Sequence, residues 1–158
     1  SYIGRVATEK NVQAFLTLRL DGTKSVVGDG PQLNSLKKKY PDVNHVGYQH
    51  GQDLVDYYAS SDVMVFPSLT DTFGNVITEA NATGTPVAAF NVTGPKDIIV
   101  NGINGYIGDD LKSNIINCIN LDRTKCQEYT KKFNWKECSR VFYDNIVAWI
   151  TVLNLKNI

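Results

Sequence analysis

Segment 67–87 carries two carboxylates whose spacing suits binding of a polar ligand. Asp71 and Glu79 lie on either side of the tripeptide Phe73-Gly74-Asn75, which precedes a stretch of helical periodicity, so we predict a helix that begins at Asn75. A helix N-terminus presents free amide groups and a partial positive charge, which suit a phosphate. A carboxylate one turn further along can accept hydrogen bonds from hydroxyl groups. The segment therefore indicates a ligand with a phosphate and a polyhydroxylated group, the outline of a sugar nucleotide.

Paired carboxylates are also typical of glycoside hydrolases, in which both groups face one scissile bond, about 5 Å or about 6.5–9.5 Å apart. Here Asp71 is predicted in a loop and Glu79 inside a helix, which favours separate roles over an acid and base pair. Glu79 could also be only a helix carboxylate near the favourable end of the helix dipole. That interpretation does not require the Phe-Gly-Asn turn before it.

Two basic residues near the start of the chain are candidates for anion binding. Arg5 ends the first predicted strand, and Lys10 lies in the first turn of the next predicted helix. Ligands of open parallel sheets bind where the carboxyl ends of the strands meet the following helices, so both side chains could converge on one anion. They could equally be two solvated surface cations.

The turn Gly28-Asp29-Gly30-Pro31 follows the second predicted strand. A dinucleotide fingerprint needs a third glycine where this chain has Leu33, so that signal is weak. We expect a tight turn with Pro31 at the first helical position, where its missing N–H costs nothing. The two glycines would also allow a ligand to approach the backbone closely.

The segment 46–51 ends the third predicted strand and could pass under a nucleotide base through Tyr48 or His50. His50 has no second histidine or carboxylate at ligand spacing, and His45 is placed separately in a strand. The sequence therefore predicts no metal site.

Short β-branched runs alternate with segments of helical period along most of the chain, which predicts an α/β fold with a parallel sheet covered by helices. The predicted strands are 2–6, 24–28, 44–47, 63–67, 87–90 and 105–107. The predicted helices are 9–18, 32–40, 53–60, 75–83, 95–100 and three C-terminal ones at 111–121, 124–133 and 135–153.

Composition narrows the class of protein. The 158 residues fit one domain spanning 1–158, and the 16 basic residues balance the 16 acidic ones, so no global field attracts nucleic acid or an anionic membrane. We expect Cys118, Cys126 and Cys138 to be buried reduced thiols, which suits the cytoplasm. No run is long enough for a membrane span and no signal peptide is visible. The chain begins at Ser1 inside a strand-like run, as in a piece of a longer protein.

Several motifs in this order and spacing point to one family. They are Gly4-Arg5 with Lys10, Val27-Gly28-Asp29-Gly30-Pro31, Val46-Gly47, Tyr58-Ala59 with Asp62-Val63, Phe66-Pro67-Ser68, Asp71-Thr72-Phe73-Gly74-Asn75-Val76, Glu79-Ala80, Gly84-Thr85-Pro86-Val87, Asn101-Gly102 and Asn104-Gly105. Over almost the whole chain they resemble the C-terminal, donor-binding half of GT-B fold retaining glycosyltransferases of group 1, also called glycosyltransferase family 4. The resemblance implies a three-layer Rossmann-like parallel sheet of about six strands, flanked by helices, with extra C-terminal helices.

The resemblance also implies roles for single residues. Arg5 and Lys10 would hold the diphosphate of a nucleotide diphosphate sugar, Glu79 the ribose hydroxyls, and Asp71 the transferred sugar. Asp71 departs from the family, which has Glu there, and Asn81 and Thr83 replace Met and Ser, which we expect to alter packing rather than chemistry. The remaining implied donor-binding residues are Gly4, Gly28, Gly30, Gly47, Tyr48, Phe73, Gly74, Asn75 and Val76.

The activity so implied is retaining transfer of a hexose from a UDP- or GDP-linked donor to a glycan or glycolipid acceptor, without a metal or other cofactor. The acceptor would bind a missing N-terminal domain, so we expect this domain alone to be inactive. We expect the full-length protein to be cytoplasmic or peripheral at a membrane surface. A non-catalytic nucleotide-sugar binding or regulatory module is the alternative. Epimerases and phosphorylases on related folds are a third option, although no context for a pyridoxal-phosphate lysine is recognisable.

Overall fold

The computed structural model describes residues 1–155, with side chains as far as residue 147. The strands are β1 (Tyr2–Ile3), β2 (Ser25–Val27), β3 (Asn44–Gly47), β4 (Met64–Phe66), β5 (Val87–Ala89) and β6 (Gly105–Ile107). The helices are α1 (Val12–Leu16), α2 (Leu33–Lys39), α3 (Gly51–Ala59), α4 (Asn75–Ala82), α5 (Pro95–Ile98), α6 (Leu111–Cys118), α7 (Arg123–Thr130) and α8 (Trp135–Leu155). No helix of the described part is long and apolar enough to cross a membrane.

All strand pairs are parallel, and they form two three-stranded sheets in the orders β1-β2-β3 and β4-β5-β6. The two sheets meet where the amide of Val65 donates to the carbonyl of Ser1 at 2.7 Å. β1 therefore lies beside β4, and the sequence of strands reverses direction between them. Such a reversal opens a crevice at the carboxyl ends of the two central strands.

Both faces of the sheet are covered, which explains the short, continuously apolar strands. Alternate strand residues enter two separate hydrophobic clusters, with Val26 and Val65 in one and Val27 and Met64 in the other. The first cluster includes side chains of α1, α2 and α6, and the second includes side chains of α3, α4 and α5. The predicted three-layer α/β fold with additional C-terminal helices is confirmed.

The first predicted helix is wrong in one respect. A 3-10 turn at Thr8–Lys10 is followed by Asn11, which has a left-handed backbone (φ 50°), and only then does α1 begin. Asparagine tolerates this conformation better than most residues, and here its side chain also donates to the carbonyl of Pro67 at 3.1 Å. Lys10 therefore lies in a separate turn rather than in the first turn of an α-helix. Arg5 lies beyond the end of β1 rather than within it.

Two further expectations are corrected. Pro31 lies two positions before α2, in the turn rather than at the first helical position, because the helix begins at Leu33. Cys118 and Cys126 are buried free thiols as expected, but Cys138 is exposed, because it lies on the part of α8 whose side chains are largely exposed to solvent. Burial raises the pKa of the Cys118 thiol to about 12, which keeps that thiol protonated and unreactive.

Candidate functional site

A cavity of about 220 Å³ opens at the carboxyl ends of β1 and β4, where the strand sequence reverses. Segments after both strands and the start of α4 form its walls. Predicted site residues that line it are Gly4, Arg5, Lys10, Asp71, Phe73, Gly74, Asn75 and Val76. Tyr2 and Thr72, to which the sequence assigned no role, also contribute to the wall. Parallel strands thus bring residues about 70 positions apart to one place, as this architecture requires.

Lys10 and Asp71 form an ion pair across this cavity. The Lys10 Nζ donates to Asp71 Oδ2 at 2.6 Å, and the two side chains are only 27% and 12% exposed. The pair is positioned by two contacts that tie the 3-10 turn to the segment after β4. The side-chain amide of Asn11 donates to the carbonyl of Pro67 at 3.1 Å, and the Ser68 hydroxyl donates to the carbonyl of Glu9 at 3.3 Å.

The ionisation of Asp71 follows from these contacts. Burial by itself would raise the pKa of this carboxyl, but the hydrogen bond and charge of Lys10, with the amides of Thr72 and Phe73, outweigh it and lower the pKa. Asp71 is therefore a carboxylate at neutral pH. Inside the cavity, the charges of Lys10 and Asp71 therefore neutralise each other.

Arg5 lies at the exposed mouth of the cavity. Its guanidinium group pairs with Glu9 at 3.3 Å, and both side chains are well exposed to solvent. Exposed pairs of this kind contribute little to stability. An anion can therefore replace Glu9 as the partner of the guanidinium group at a small cost in free energy.

α4 begins at the cavity wall with its amide groups uncapped by any side chain. Gly74 precedes the helix with φ 88°, and a Cβ there would lie 3.0 Å from the Cδ1 of Ile77. Only glycine adopts this conformation without strain. The chain can therefore turn sharply into α4 and expose the first amides of the helix, at Asn75 and Val76, to the cavity.

Glu79 lies one turn further along α4 and does not line the cavity. Its Oε2 accepts a hydrogen bond of 2.8 Å from the hydroxyl of Tyr58, a side chain only 2% exposed. Sequence analysis named Tyr58 only as part of a motif. No local pattern could have linked it to Glu79, because the contact joins α3 to α4.

Gly28 and Gly30 do not line the cavity either. A Cβ at either position would collide with the chain itself, at the carbonyl oxygens of Gly4 and Val6 respectively. The amides of Gly4 and Val6 donate to Val27 and Asp29 carbonyls at 2.9 and 2.8 Å, so the two segments continue side by side beyond the strands. Close packing of backbone on backbone is thus a sufficient reason for both glycines.

Gly47 and Tyr48 lie at the end of β3, outside the cavity. Tyr48 is 72% exposed and its ring stacks on His50 with centroids 6.0 Å apart. β3 is two strands away from β1, roughly 10 Å along the same edge of the sheet. Within the residues that the structure describes, no three His, Cys, Asp or Glu side chains cluster in a way that could hold a metal ion.

Comparison with known sequences identifies relatives. The family described as "Glycosyl transferases group 1" matches residues 1–120. A GDP-mannose-dependent alpha-mannosyltransferase of Corynebacterium glutamicum is 39% identical over 110 residues, 68% of this chain and 27% of that protein. The sulfoquinovosyl transferase SQD2 of Arabidopsis thaliana is 29% identical over 154 residues, 85% of this chain and 30% of that protein. The chain thus spans less than a third of these relatives.

Solved structures share the fold. The lipopolysaccharide outer core galactosyltransferase WaaB superposes with a TM-score of 0.78 at 17% identity, over 93% of this chain and 48% of that one. HepE of Anabaena, solved in complex with UDP, gives a TM-score of 0.72 at 19% identity, also over 93% and 48%. The match therefore corresponds to about half of each GT-B enzyme, as expected for one of their domains. Because the family matches residues 1–120 of the 158, this chain belongs to the group 1 glycosyl transferases of glycosyltransferase family 4.

Proposed function

We propose that the chain is the donor-binding domain of a retaining glycosyltransferase that moves a hexose from a UDP- or GDP-linked donor to a glycan or glycolipid acceptor. The observation that carries this proposal is the convergence of Lys10, Asp71 and the uncapped start of α4 on one cavity at the strand reversal. A cation and free helix amides suit a diphosphate. The adjacent carboxylate suits the hydroxyl groups of a sugar.

The proposed chemistry is mainly electrostatic. Arg5, Lys10 and the first amides of α4 bind the diphosphate and stabilise the negative charge that develops on it as the bond to the sugar breaks. The acceptor oxygen bonds to the sugar on the face that the phosphate leaves, and an oxygen of the leaving phosphate accepts the proton of the acceptor hydroxyl. The reaction therefore requires neither a protein nucleophile nor a protein base. The residues present supply this charge without a metal ion, and donor binding is accordingly proposed to be independent of divalent cations.

The ion pair between Lys10 and Asp71 gives donor binding an exchange step. A diphosphate that takes the Lys10 ammonium group must displace Asp71 from its contact at 2.6 Å. The released carboxylate can then accept hydrogen bonds from the transferred sugar. The cation and the anion thus change partners together, and no charge in the partly buried cavity is left without a partner.

Glu79 is proposed to bind the ribose, and the end of β3 near Gly47 and Tyr48 to lie under the base. Glu79 lies one helical turn beyond the phosphate-binding start of α4. The span of roughly 10 Å from β1 to β3 suits a nucleotide laid along the sheet edge. Relatives named for GDP-mannose and a solved structure with UDP favour GDP- and UDP-linked sugars as the first donors to test.

The acceptor is proposed to bind a second domain of the full-length protein. The chain covers 27% of the mannosyltransferase and 48% of each of the two solved structures, so those proteins have a large further part. We propose that the full-length protein works in the cytoplasm or at a membrane surface, where a glycolipid acceptor would be accessible. The donor domain by itself would bind the donor but transfer little.

Calorimetric titration with UDP-glucose and GDP-mannose tests donor binding. We expect one of them to bind with an affinity that EDTA does not change, and Lys10→Ala and Glu79→Ala to weaken it at least tenfold, or about 1.4 kcal/mol each. Lys125→Ala and Glu128→Ala, two exposed residues of α7, are matched controls and should leave it unchanged. Failure of both nucleotide sugars to bind would contradict the proposal. If Glu79→Ala binds the donor with wild-type affinity, this result would contradict only the proposed ribose role of Glu79.

A further inference from the structure

Tyr58 holds one oxygen of Glu79 from a fully packed position. Its ring belongs to the hydrophobic cluster under α3 and α4, with Ile77 and Ala80, and its hydroxyl reaches Glu79 Oε2 at 2.8 Å. Among the described side chains, none donates to the other oxygen, Oε1. Glu79 itself lies at the surface of α4. A long, exposed glutamate normally samples several rotamers, and the buried tyrosine limits this one.

The backbone of Tyr58 is held equally firmly. Its carbonyl accepts the Thr85 hydroxyl at 2.6 Å, and Arg123 Nη2 donates to the same Thr85 oxygen at 3.0 Å. Arg123 also donates to the carbonyls of Ala59 and Ser61 at 2.7 and 2.8 Å. Three carbonyls at the end of α3 are thereby fixed by α7 and by the loop before β5, so the tyrosine hydroxyl stays at one place.

The hydroxyl also remains a donor at any working pH. Burial is the main cause that raises the pKa of Tyr58, and the negative charge of Glu79 adds to it. The phenol therefore keeps its proton and always occupies Oε2. The free oxygen of the carboxylate is correspondingly the one available to a ligand.

We propose that Tyr58 is a positioning residue that orients Glu79 so that Oε1 faces the ribose hydroxyls of the donor, and that it thereby sets the preference for ribonucleotides. This inference rests on the proposed function, in which Glu79 binds the ribose. The simpler explanation is that Glu79 only satisfies a buried phenol. The two explanations differ in which ligands the tyrosine affects.

The test is calorimetric titration of the 158-residue chain with UDP and GDP and with their 2′,3′-dideoxy analogues. We expect the wild type to prefer the ribonucleotide. Tyr58→Phe should weaken ribonucleotide binding about tenfold and change dideoxynucleotide binding less than about twofold. Tyr57→Phe is the matched control, because its neighbouring ring lines a separate groove with Val63, and it should change neither.

A double-mutant cycle identifies the route of the effect. If Tyr58 acts through Glu79, Tyr58→Phe should have no further effect on binding in a Glu79→Ala background. Glu79→Gln provides a second variant that leaves the packing of Tyr58 intact and should lose the same preference for ribose. Thermal melts ensure that every variant is titrated well below its unfolding temperature.

The outcomes separate the inference from the proposed function. Equal weakening of ribo- and dideoxynucleotides by Tyr58→Phe, or additive effects in the cycle, would overturn the positioning role while the proposed function stands. A wild type that binds nucleotides without regard to the ribose hydroxyls would overturn the ribose role of Glu79 and this inference. A wild type that binds no nucleotide would overturn the proposed function and the inference together.

Discussion

At the scale of single residues, the central feature is the contact between Lys10 and Asp71. The resemblance to the family implied separate partners for them, the diphosphate for Lys10 and the sugar for Asp71. In the structure they are each other's partner at 2.6 Å. Asp71 has a shorter side chain than the glutamate usual in the family, yet it reaches the lysine because Asn11 and Ser68 hold the two segments together.

This contact predicts that removing the charge of Asp71 strengthens nucleotide binding. In Asp71→Asn, the diphosphate of UDP or GDP no longer competes with a carboxylate for Lys10, and we expect about fivefold tighter binding, or about 1 kcal/mol. The gain should be smaller for the nucleotide sugar, because the sugar loses its carboxylate. Calorimetry checks both, with Glu128→Gln on the exposed face of α7 as the control. Unchanged or weaker UDP and GDP binding by Asp71→Asn would contradict the exchange step.

The same carboxylate predicts a pH dependence of stability. Because Lys10 and the backbone amides hold the pKa of Asp71 below its usual value despite burial, the stabilisation is complete above the unfolded pKa of about 4 and is lost as the pH falls through the folded one. Asp71→Asn should therefore be less stable than the wild type between pH 5 and 7, measured by urea unfolding. The difference should shrink below about pH 4. A difference that is as large at pH 3 as at pH 7 would contradict this assignment.

At the scale of elements, α4 joins the site to the core through a buried polar contact. Asn81 on its inner face donates to the carbonyls of Thr85 and Asn104 at 3.0 and 2.9 Å, and it accepts from the Asn104 side chain at 2.8 Å. Both asparagines are fully buried. These hydrogen bonds fix α4 against the loop before β6. We expected Asn81, in place of the family's usual Met, to affect packing, and its buried position is consistent with that expectation.

Replacing Asn81 by the isosteric leucine should destabilise the fold by about 2–4 kcal/mol, because the Thr85 carbonyl and the side-chain amide and backbone carbonyl of Asn104 each lose a buried hydrogen bond to Asn81. The free energy of unfolding in urea is the measurement. Asn91→Ala serves as the control, since Asn91 is exposed and its loss should change stability by less than about 0.5 kcal/mol. Wild-type stability of Asn81→Leu would show that the contact contributes nothing.

At the scale of the whole molecule, the sheet is covered on both faces, whereas the described side chains of α8, as far as residue 147, are largely exposed. Trp135, Phe142 and Tyr143 at the start of α8 are all more than half exposed, so this part of α8 adds little to the two hydrophobic clusters. The cavity, by contrast, is lined by β1, β4, the segments that follow these strands and the start of α4. The proposed donor binding therefore depends on the part of the chain that contains the two hydrophobic clusters.

We accordingly predict that the 158-residue chain binds its donor without appreciable sugar transfer. A radiolabelled nucleotide sugar and glycan or glycolipid acceptors would be incubated with the chain, with the full-length mannosyltransferase of Corynebacterium glutamicum as the positive control. Transfer by the chain should stay at the background level, because no acceptor is held against the donor. Robust transfer to a defined acceptor would contradict the prediction and with it the need for a second domain.

Sequence reasoning succeeded where the signal was local. The alternation of β-branched runs and helical periods predicted the order of the strands and helices, and the turn at Gly74 predicted the start of α4 at its exact residue. It was wrong at 9–18, where one left-handed asparagine divides the predicted helix. A single backbone conformation of that kind leaves no trace in hydrophobic periodicity.

The sequence by itself determined the layered α/β fold and, through the rule that ligands bind at the carboxyl ends of parallel strands, the edge on which the candidate site lies. Tertiary structure alone decided the partners of the polar groups. Lys10 meets Asp71, Tyr58 meets Glu79, and the backbone at Gly28 and Gly30 meets the chain at Gly4 and Val6. The physical reason is that periodicity reports which face of an element is buried. The partner of a side chain depends on which distant segments pack together.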